Sequence, residues 1–324
     1  MGTESPIELS IIIVNWNSRD FLQKCIASIL DAKIKCQHEI IVIDSGSFDG
    51  SREMVKQCYQ PVKFIQSEIN LGFAKANNVA FKASSGSQIL FLNPDTKVVA
   101  PAIDILLDQI MKLPKAGAIG CKLLNEDGSV QTSCIQSFPT ILNQFLNSEL
   151  LMSLFPKSKL WGMASLFGSA NGPAEVEMLS GACLMMKRTL FEQVGYFSEE
   201  YFMYAEDVDL CYKVRQAGYR NYYVPNATVF HFGGGSTQQR PNDFAVIMMR
   251  ASVLKFLRKT RGELYGFWYR LSMLILAMGR ILCLLVLSPL YLSLGWLASW
   301  KASARKWWVI SAWSMGLKQV GEKS

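Results

Sequence analysis

Three carboxylates fall within four residues of the chain, at Glu206, Asp207 and Asp209. Carboxylates so close together repel one another unless a cation or a basic group of a substrate relieves the repulsion. On a helix, Glu206 and Asp209 share a face through their i, i+3 spacing, whereas Asp207 points elsewhere. The cluster therefore predicts a site in which one carboxylate anchors the local structure and another acts as a general base. An ordinary solvated helix face is the alternative.

Two further carboxylates come directly after apolar runs. Asp44 precedes Ser-Gly-Ser, where a carboxylate accepts hydrogen bonds either from a bound nucleoside or from the turn itself. Asp95 ends the tripeptide Asn93-Pro94-Asp95, and a carboxylate held by a proline-stiffened turn suits a hard divalent cation that also binds a diphosphate. The same tripeptide is common turn chemistry, so it does not define a metal site by itself.

Trp16 and His231 each allow two interpretations. Trp16 is either a core aromatic or a plane on which a nucleobase stacks. His231 stands at the end of an apolar run, where a histidine is usually structural. The glycines that follow it, at positions 233–235, would let the backbone approach a phosphate closely.

The elements that must position these residues follow a regular pattern. Short β-branched runs alternate with helical stretches, which predicts a parallel, doubly wound α/β sheet. The predicted strands are Ser10–Val14, Glu39–Ile43, Val62–Gln66 and Gln88–Leu92, and the helices are 20–30, one opening at Asp49-Gly50-Ser51, and 73–83. Ligands bind beyond the carboxyl ends of such strands, where polar residues stand in this chain.

The pattern loosens after Lys122. Residues 138–167 are apolar, irregular and interrupted by two prolines, which indicates a long loop packed on the core or a lid facing an acceptor or a membrane. Further on, we predict a strand over Met178–Met186, a helix over Phe202–Gln216 and a strand over Ala227–Phe230.

Taken in order, these segments resemble family 2 glycosyltransferases of the GT-A fold, and most of all bacterial rhamnosyltransferases that build cell-surface polysaccharides. The resemblance covers about residues 8–240. The matching segments are SIIIVNWN (10–17), VIDSGSFDGS (42–51), NLGFAKANN (70–78), FLNPDT (91–96), LSGAC (179–183), FMYAEDVDLC (202–211) and HFGGGS (231–236). A Rossmann-like, mostly parallel sheet is the fold that this resemblance implies.

The resemblance also implies roles for individual residues. Asp207 would be the catalytic base, with Glu206 as its nearest competitor, while Gly181 and Asp209 would contact the acceptor. Asp95 and His231 would hold a divalent cation, Mg²⁺ or Mn²⁺. The residues implied to contact the nucleotide are Val14, Asn15, Trp16, Asp44, Asn70, Gly72, Lys75, Asn93 and Asp95.

One departure from the family pattern concerns the metal motif. Asn93 stands where the metal motif Asp-x-Asp has its first carboxylate. The cation would therefore be held mainly by the diphosphate of the sugar nucleotide.

The implied activity is an inverting sugar transfer from a nucleotide diphosphate donor to a hydroxyl of a saccharide linked to a polyprenyl diphosphate. We expect rhamnose from dTDP-rhamnose, by resemblance alone. Two alternatives stay open: a transferase that loads sugar onto a polyprenyl phosphate, and a membrane-tethered nucleotide-sugar-binding protein without catalysis. A nucleotidyltransferase is disfavoured, because no glycine-rich phosphate loop follows the first strand.

Charge and cysteine content limit the class of protein. The 324 residues carry a net charge of +7, yet from Arg250 onward twelve Lys or Arg and two Glu give +10, so the preceding residues sum to −3. An acidic body with a basic tail argues against a nucleic-acid-binding protein. The eight cysteines form no CxxC pair, which favours buried free thiols in a reducing compartment. The N-terminus shows no signal-sequence pattern, so we expect the body to stay in the cytosol.

The tail is apolar as well as basic. Residues 250–261 resemble a basic amphipathic helix, and Ile281–Trp300 runs twenty residues without a charge, about the length needed to span a bilayer. Basic residues on both sides favour two apolar helices hinged near Pro289 that lie on or re-enter the membrane. Six of the eight tryptophans fall in this tail, as membrane-interface anchoring predicts.

We therefore predict a glycosyltransferase domain over 1–245 and a membrane-association region over 246–324. The expected location is the cytoplasmic face of a bacterial inner membrane. A buried pair of oligomerisation helices is the alternative for the tail.

Overall fold

The computed structural model describes residues 6–167, 172–233, 242–293 and 295–318. It divides the chain into two compact units. The sheet unit comprises Met1–Phe138 and Leu154–Gln238, and the helical unit comprises Pro139–Ser153 and Gln239–Ser324. Residues 139–153 thus group with the C-terminal helices, a grouping that the sequence pattern did not indicate.

From residue 9 to residue 92, strands and helices alternate along the chain. The strands are β1 (Leu9–Asn15), β2 (His38–Ser45), β3 (Lys63–Ser67), β4 (Gln88–Leu92), β5 (Thr96–Val98), β6 (Ala116–Leu124), β7 (Ile135–Gln136), β8 (Ala174–Val176), β9 (Met178–Leu179), β10 (Cys183–Lys187) and β11 (Arg220–His231). The helices that precede the C-terminal region are α1 (Arg19–Asp31), α2 (Ser51–Cys58), α3 (Gly72–Lys82), α4 (Ala102–Lys112), α5 (Ile141–Phe145), α6 (Glu149–Leu154), α7 (Arg188–Gln193) and α8 (Glu206–Gln216).

The main sheet has the order β3-β2-β1-β4-β10-β6-β11-β5, with β8 added beside β11. Strands β3, β2, β1 and β4 are parallel, as are β6 and β11, whereas β10 runs antiparallel between β4 and β6. The side chains of Ile11, Ile12 and Ile13 in β1 are fully buried, as expected for a strand covered on both faces. The sheet is therefore a mixed, mostly parallel α/β sheet, and the predicted fold class is confirmed.

Three predicted elements differ from the structure in their extent. The helix predicted from Phe202 begins only at Glu206, because Tyr204 and Ala205 adopt left-handed φ angles of 66° and 62°. The strand predicted over Met178–Met186 is interrupted at residues 180–182. Its first part, β9, pairs with β7 in a separate two-stranded sheet, while β10 joins the main sheet. Strand β11 is longer than predicted, and residues 138–167 include two short helices and a 3₁₀ turn.

The C-terminal region is helical. Its helices are α9 (Asn242–Arg261), α10 (Glu263–Val286), α11 (Ser288–Ser293) and α12 (Leu297–Ser314). The uncharged stretch 281–300 is therefore divided among three helices, with a break at Leu287, two residues before Pro289. Proline is tolerated in the first turn of a helix but not in its interior, which explains a new helix at this point.

All eight cysteines are free, and five of them are buried. Cys25, Cys121 and Cys183 lie within the core of the sheet unit. The prediction of buried free thiols is therefore confirmed for most of them, while Cys58 and Cys283 are exposed.

Candidate active site

Asp44 forms the centre of a hydrogen-bonded network at the carboxyl ends of β1 and β2. Its buried carboxylate accepts hydrogen bonds from Asn15 Nδ2 at 2.8 Å, Gln66 Nε2 at 2.9 Å and the backbone N–H of Ser47 at 2.8 Å. Asn15 lies opposite Asp44 in the register of the two strands, so the sheet itself brings them together. The buried Oδ1 of Asn15 has no hydrogen-bond partner among the described residues. Val14, half-buried, precedes Asn15 on β1.

A polar cavity of about 350 Å³ opens beside this network. Its volume lies in the range of small-ligand sites. Its lining includes Asp44, Ser47, Phe48, Arg52 and Gln66. Phe48 lines the cavity and is 86% exposed, whereas Trp16 is half-buried and is not among the lining residues.

The N-terminus of α3 carries the next group of predicted residues. Asn70 Oδ1 accepts a hydrogen bond from the backbone N–H of Gly72 at 3.0 Å, and Lys75 is exposed on the helix. Gly72 has a φ of +72°, and a Cβ at this position would lie 2.3 Å from the carbonyl oxygen of Phe202. The next residue, Phe73, donates its N–H to that same oxygen at 2.9 Å. Only glycine permits this contact between α3 and the segment before α8.

Asp95 and His231 meet where β5 pairs with β11. His231 lies opposite Thr96 in this antiparallel pair, and its Nε2 is 3.3 Å from Asp95 Oδ1. Asn93 is close as well, with its Nδ2 3.4 Å from the same imidazole nitrogen. The three residues named by the metal hypothesis are thus adjacent in the structure. Of the glycine-rich segment after His231, residues 234–236 lie outside the described residues.

Gln131 determines which nitrogen of His231 carries the proton. The amide nitrogen of Gln131 donates to Asn125 Oδ1 at 3.0 Å and to the His231 carbonyl at 3.4 Å. Its Oε1 therefore faces His231 Nδ1, at 2.7 Å, and this oxygen can only accept. Nδ1 must be the donor, so in the neutral imidazole the lone pair lies on Nε2, beside the Asp95 carboxylate.

This pair of electron donors fits a divalent cation that is shared with a substrate. A lone pair and a carboxylate oxygen 3.3 Å apart repel one another unless a cation or a proton lies between them. Gln131 supplies the kind of outer hydrogen bond that metal-binding histidines make. The described residues contain no cluster of three or more His, Cys, Asp or Glu side chains suited to a metal. The remaining ligands would come from phosphate oxygens and water, as is common for Mg²⁺.

Asp207 and Glu206 occupy the first turn of α8 in different surroundings. Asp207 is half-buried, and its carboxylate accepts N–H hydrogen bonds from Gly181 at 2.9 Å and Val208 at 2.8 Å. Glu206 is buried, and its Oε2 has no hydrogen-bond partner in the part of the chain that the structure describes. The helix N-terminus further favours a negative charge here. The ionised form is therefore better supported at Asp207 than at Glu206.

The pKa values of these two carboxyl groups follow from the same contacts. Burial and the adjacent Asp207 carboxylate raise the pKa of Glu206 well above its ordinary value. Burial also raises the pKa of Asp207, but the N–H groups of Gly181 and Val208 oppose this rise. Both pKa values are thus raised, and the proton is better held by Glu206, whose ionised form is opposed by burial and by the neighbouring Asp207 charge.

Asp209 and Gly181 differ in their access to a substrate. Asp209 is fully buried, accepts a hydrogen bond from Ser198 Oγ at 2.6 Å and lies 3.7 Å from Lys213 Nζ. This position favours a structural role over the predicted contact with an acceptor. Gly181 remains beside Asp207, and a Cβ at this position would lie 3.4 Å from Asp207 Cβ.

Sequence reasoning missed several polar neighbours of the site. Gln66, Phe48 and Arg52 line the cavity beside Asp44, and Gln131 orients His231. For Phe48 and Arg52, their positions just after the strand-end Asp44 were an available signal. Gln131 gave none, because it lies 100 residues from its partner.

Comparison with known proteins gives a consistent match. A family model described as glycosyl transferase family 2 matches residues 10–195. The N-acetylglucosaminyl-diphospho-decaprenol L-rhamnosyltransferase of Mycobacterium tuberculosis is 32% identical over 246 residues, which are 72% of this chain and 78% of that protein. Rhamnosyltransferase WbbL of Escherichia coli is 24% identical over 232 residues, 68% of this chain and 82% of that protein.

A solved structure matches the chain over most of its length. The mannosyltransferase PcManGT of Pyrobaculum calidifontis, in complex with GDP-Man and Mn²⁺, aligns with a TM-score of 0.56 at 15% identity, covering 97% of this chain and 90% of that one. At this level of identity the likeness concerns the fold.

Proposed function

Because the chain belongs to glycosyltransferase family 2 and is a nucleotide-sugar glycosyltransferase, we propose that it transfers rhamnose from dTDP-rhamnose, with inversion, to a hydroxyl of a lipid-linked saccharide. The acceptor would be a polyprenyl diphosphate saccharide used in cell-surface polysaccharide synthesis. The observation that carries this proposal is the 32% identity with the mycobacterial rhamnosyltransferase, whose name specifies such an acceptor. The reaction would take place at the cytoplasmic face of a bacterial plasma membrane.

In this proposal the donor nucleotide occupies the cavity beside Asp44. The Asp44 carboxylate and the unpartnered Oδ1 of Asn15 would accept hydrogen bonds from the base and ribose, and Phe48 would stack on the base. Trp16, Asn70 and Lys75 would lie toward the rest of the nucleotide. These polar contacts give orientation and specificity more than affinity.

Asp95 and His231 would hold a divalent cation, with Asn93 beside them. When bound, the cation would stabilise the negative charge that develops on the leaving nucleoside diphosphate. Gln131 keeps the proton on His231 Nδ1, so that Nε2 stays available.

Asp207 would remove the proton from the acceptor hydroxyl as that oxygen bonds to the anomeric carbon. A positioned general base contributes about 10²–10⁴-fold to the rate. The N–H groups of Gly181 and Val208 hold the carboxylate in place, and Glu206, protonated beside it, adds no second negative charge.

A direct assay tests the proposal. The purified chain is incubated with radiolabelled dTDP-rhamnose, Mg²⁺ or Mn²⁺, and either a polyprenyl diphosphate-linked N-acetylglucosamine or a plain polyprenyl phosphate. We expect labelled product only with the saccharide acceptor. Product only with the polyprenyl phosphate would replace this proposal with the alternative transferase. A thermal-shift screen of sugar nucleotides gives an independent readout of the donor, since a ligand that binds only the folded state raises the unfolding temperature.

A further inference from the structure

Helix α10 exposes one continuous apolar stripe. Six large side chains that are 56–71% exposed define it: Leu264, Phe267, Ile275, Met278, Leu282 and Leu285. At 3.6 residues per turn they fall within about 80° of the helix circumference and extend over about 32 Å. Isolated exposed apolar residues are ordinary, but a contiguous stripe of this length marks an interaction surface.

The opposite face of α10 packs against the other helices of the helical unit. Tyr269, Met273 and Ala277 are buried on that face. Arg270 donates to the carbonyl of Trp313 at 2.7 Å, and Arg280 lies over the ring of Trp307 at 5.6 Å. The arginines of α10 therefore turn toward α12, which leaves the stripe free of charge.

Gly266 allows α9 to lie close against α10. A Cβ at this position would be 2.5 Å from Arg258 Cγ and 3.2 Å from Leu254 Cδ1. Helices α9, α10 and α12 contact one another pairwise. They therefore form one packed body, and α10 cannot enter a bilayer core without taking its neighbours with it.

Those neighbours carry exposed charges. The exposed basic side chains are Lys255, Arg258, Lys259 and Arg261 on α9 and Lys301, Arg305 and Lys306 on α12. Arg305 also pairs with Asp243 at 3.0 Å. Charged side chains are rare within transmembrane segments, whereas a basic polar face beside an apolar stripe is typical of helices that lie in the plane of an anionic membrane surface.

We propose that the helical unit binds an anionic bilayer with α10 in the membrane plane, its apolar stripe inserted at the headgroup and acyl-chain boundary and its neighbouring basic residues at the level of the phosphates. Among the described residues, α10 is the one helix long and apolar enough to cross a membrane, and 22% of its most apolar window is buried. The exposed charges on α9 and α12 are the reason that it lies flat instead. This inference rests on the proposed function and deepens it, because that proposal places the reaction at a membrane face.

Vesicle flotation of the full chain, without any sugar substrate, tests the binding. Vesicles of phosphatidylcholine with 30% phosphatidylglycerol are compared with vesicles of phosphatidylcholine alone. We expect binding to the anionic vesicles that weakens at high salt, and a loss of about 10-fold or more in partitioning for Ile275→Asp and for Leu282→Asp. Met111, a 66% exposed apolar residue of α4 in the sheet unit, supplies the matched control, because Met111→Asp should bind as the unmodified chain does.

The orientation of α10 is tested by depth-dependent quenching. Single cysteines replace Leu264, Ile275 or Leu285 in a chain carrying Cys58→Ser and Cys283→Ser, and each is labelled with bimane. Lipids brominated at different depths should quench all three labels at the same shallow depth. A label at Ile275 much deeper than the other two would show a spanning helix and overturn the proposal.

Two other results would also overturn it. If the Asp variants turn a dimer into a monomer and the unmodified chain does not float with vesicles, the stripe is an interface between two copies. Equal binding by the Asp variants would mean that the stripe does not contact lipid. Because no donor or acceptor is present, these outcomes are separate from a failure of the transferase assay.

Discussion

Replacing Asp207 by asparagine tests the proposed base most directly. Transfer should fall by about 10²–10⁴-fold, the usual contribution of a positioned general base, which corresponds to about 3–5 kcal/mol of transition-state free energy. Donor affinity should be unchanged, because Asp207 contacts Gly181 and Val208 and does not line the cavity beside Asp44. An effect confined to the chemical step lowers kcat and leaves the dissociation constant for the donor as it was.

The structural cost of this substitution must be measured separately. Asp207 accepts N–H hydrogen bonds from Gly181 at 2.9 Å and from Val208 at 2.8 Å. An asparagine oxygen can replace only one of these acceptors, and the amide nitrogen would face the other N–H group. We expect a loss of about 1–3 kcal/mol in the free energy of unfolding, which thermal denaturation detects.

The assay is a single-turnover transfer of radiolabelled rhamnose at saturating donor, with donor binding measured by calorimetry on the same preparation. Glu206→Gln is the matched control in the adjacent position. A normal rate in Asp207→Asn would refute the assignment of the base. If Glu206→Gln lost activity and Asp207→Asn did not, the base would be Glu206.

Three further substitutions probe other parts of the site. The free energy of unfolding of Glu206→Gln should increase relative to that of the unmodified chain as the pH rises above 4.5, the ordinary pKa of Glu. The difference should grow by up to ~1.4 kcal/mol per pH unit, because the folded unmodified chain, with its raised pKa, keeps a proton that its unfolded form releases. This is measured by denaturant unfolding at several pH values. Gly72→Ala should lower the free energy of unfolding by about 2 kcal/mol or more, since its Cβ would lie 2.3 Å from the Phe202 carbonyl oxygen at a left-handed φ. Gln131→Leu should raise the Mn²⁺ concentration for half-maximal activity by about 10–100-fold with little change in kcat at saturating Mn²⁺.

Each of these has its own comparison. A pH-independent difference for Glu206→Gln would contradict the raised pKa of Glu206. Gly50→Ala isolates the contact at Gly72, because Gly50 has a φ of +82° but nothing within 4 Å of the added Cβ, and equal losses at both positions would contradict the close approach. Gln131→Glu keeps an acceptor for His231 Nδ1, so its Mn²⁺ concentration for half-maximal activity should be close to that of the unmodified chain. An increase as large as that of Gln131→Leu would contradict the role of Gln131 in orienting His231.

The half of the sheet built from β1 to β4 was predictable from the sequence, because uninterrupted runs such as Ile11-Ile12-Ile13 are what a strand buried on both faces requires. The adjacency of Asn15 and Asp44 also followed from the parallel pattern. The start of α8 did not, because the left-handed φ angles of Tyr204 and Ala205 have no local sequence signal in residues other than glycine or asparagine.

Contacts between distant segments explain what else was missed. Gln131 and His231 are brought together only by the tertiary fold, and a glutamine in a loop carries no periodicity. The predicted contact of Asp209 with an acceptor rested on its place in a motif. In the structure, its hydrogen bond to Ser198 and its full burial result from the way α8 packs within the sheet unit.

The grouping of residues 139–153 with the helical unit has a practical consequence for anyone who wishes to shorten this protein. The backbone N–H of Ile141 donates to Tyr265 Oη at 3.1 Å, and Gln144 Oε1 accepts from Arg250 at 3.1 Å. A chain cut after residue 245, at the boundary that the sequence suggests, would keep this segment but lose both partners. Removing the hydrophobic tail would therefore leave the apolar residues of 139–153 without their packing partners, and would expose this segment to aggregation and proteolysis. A soluble fragment is better sought by replacing 139–153 with a short polar linker in the same step.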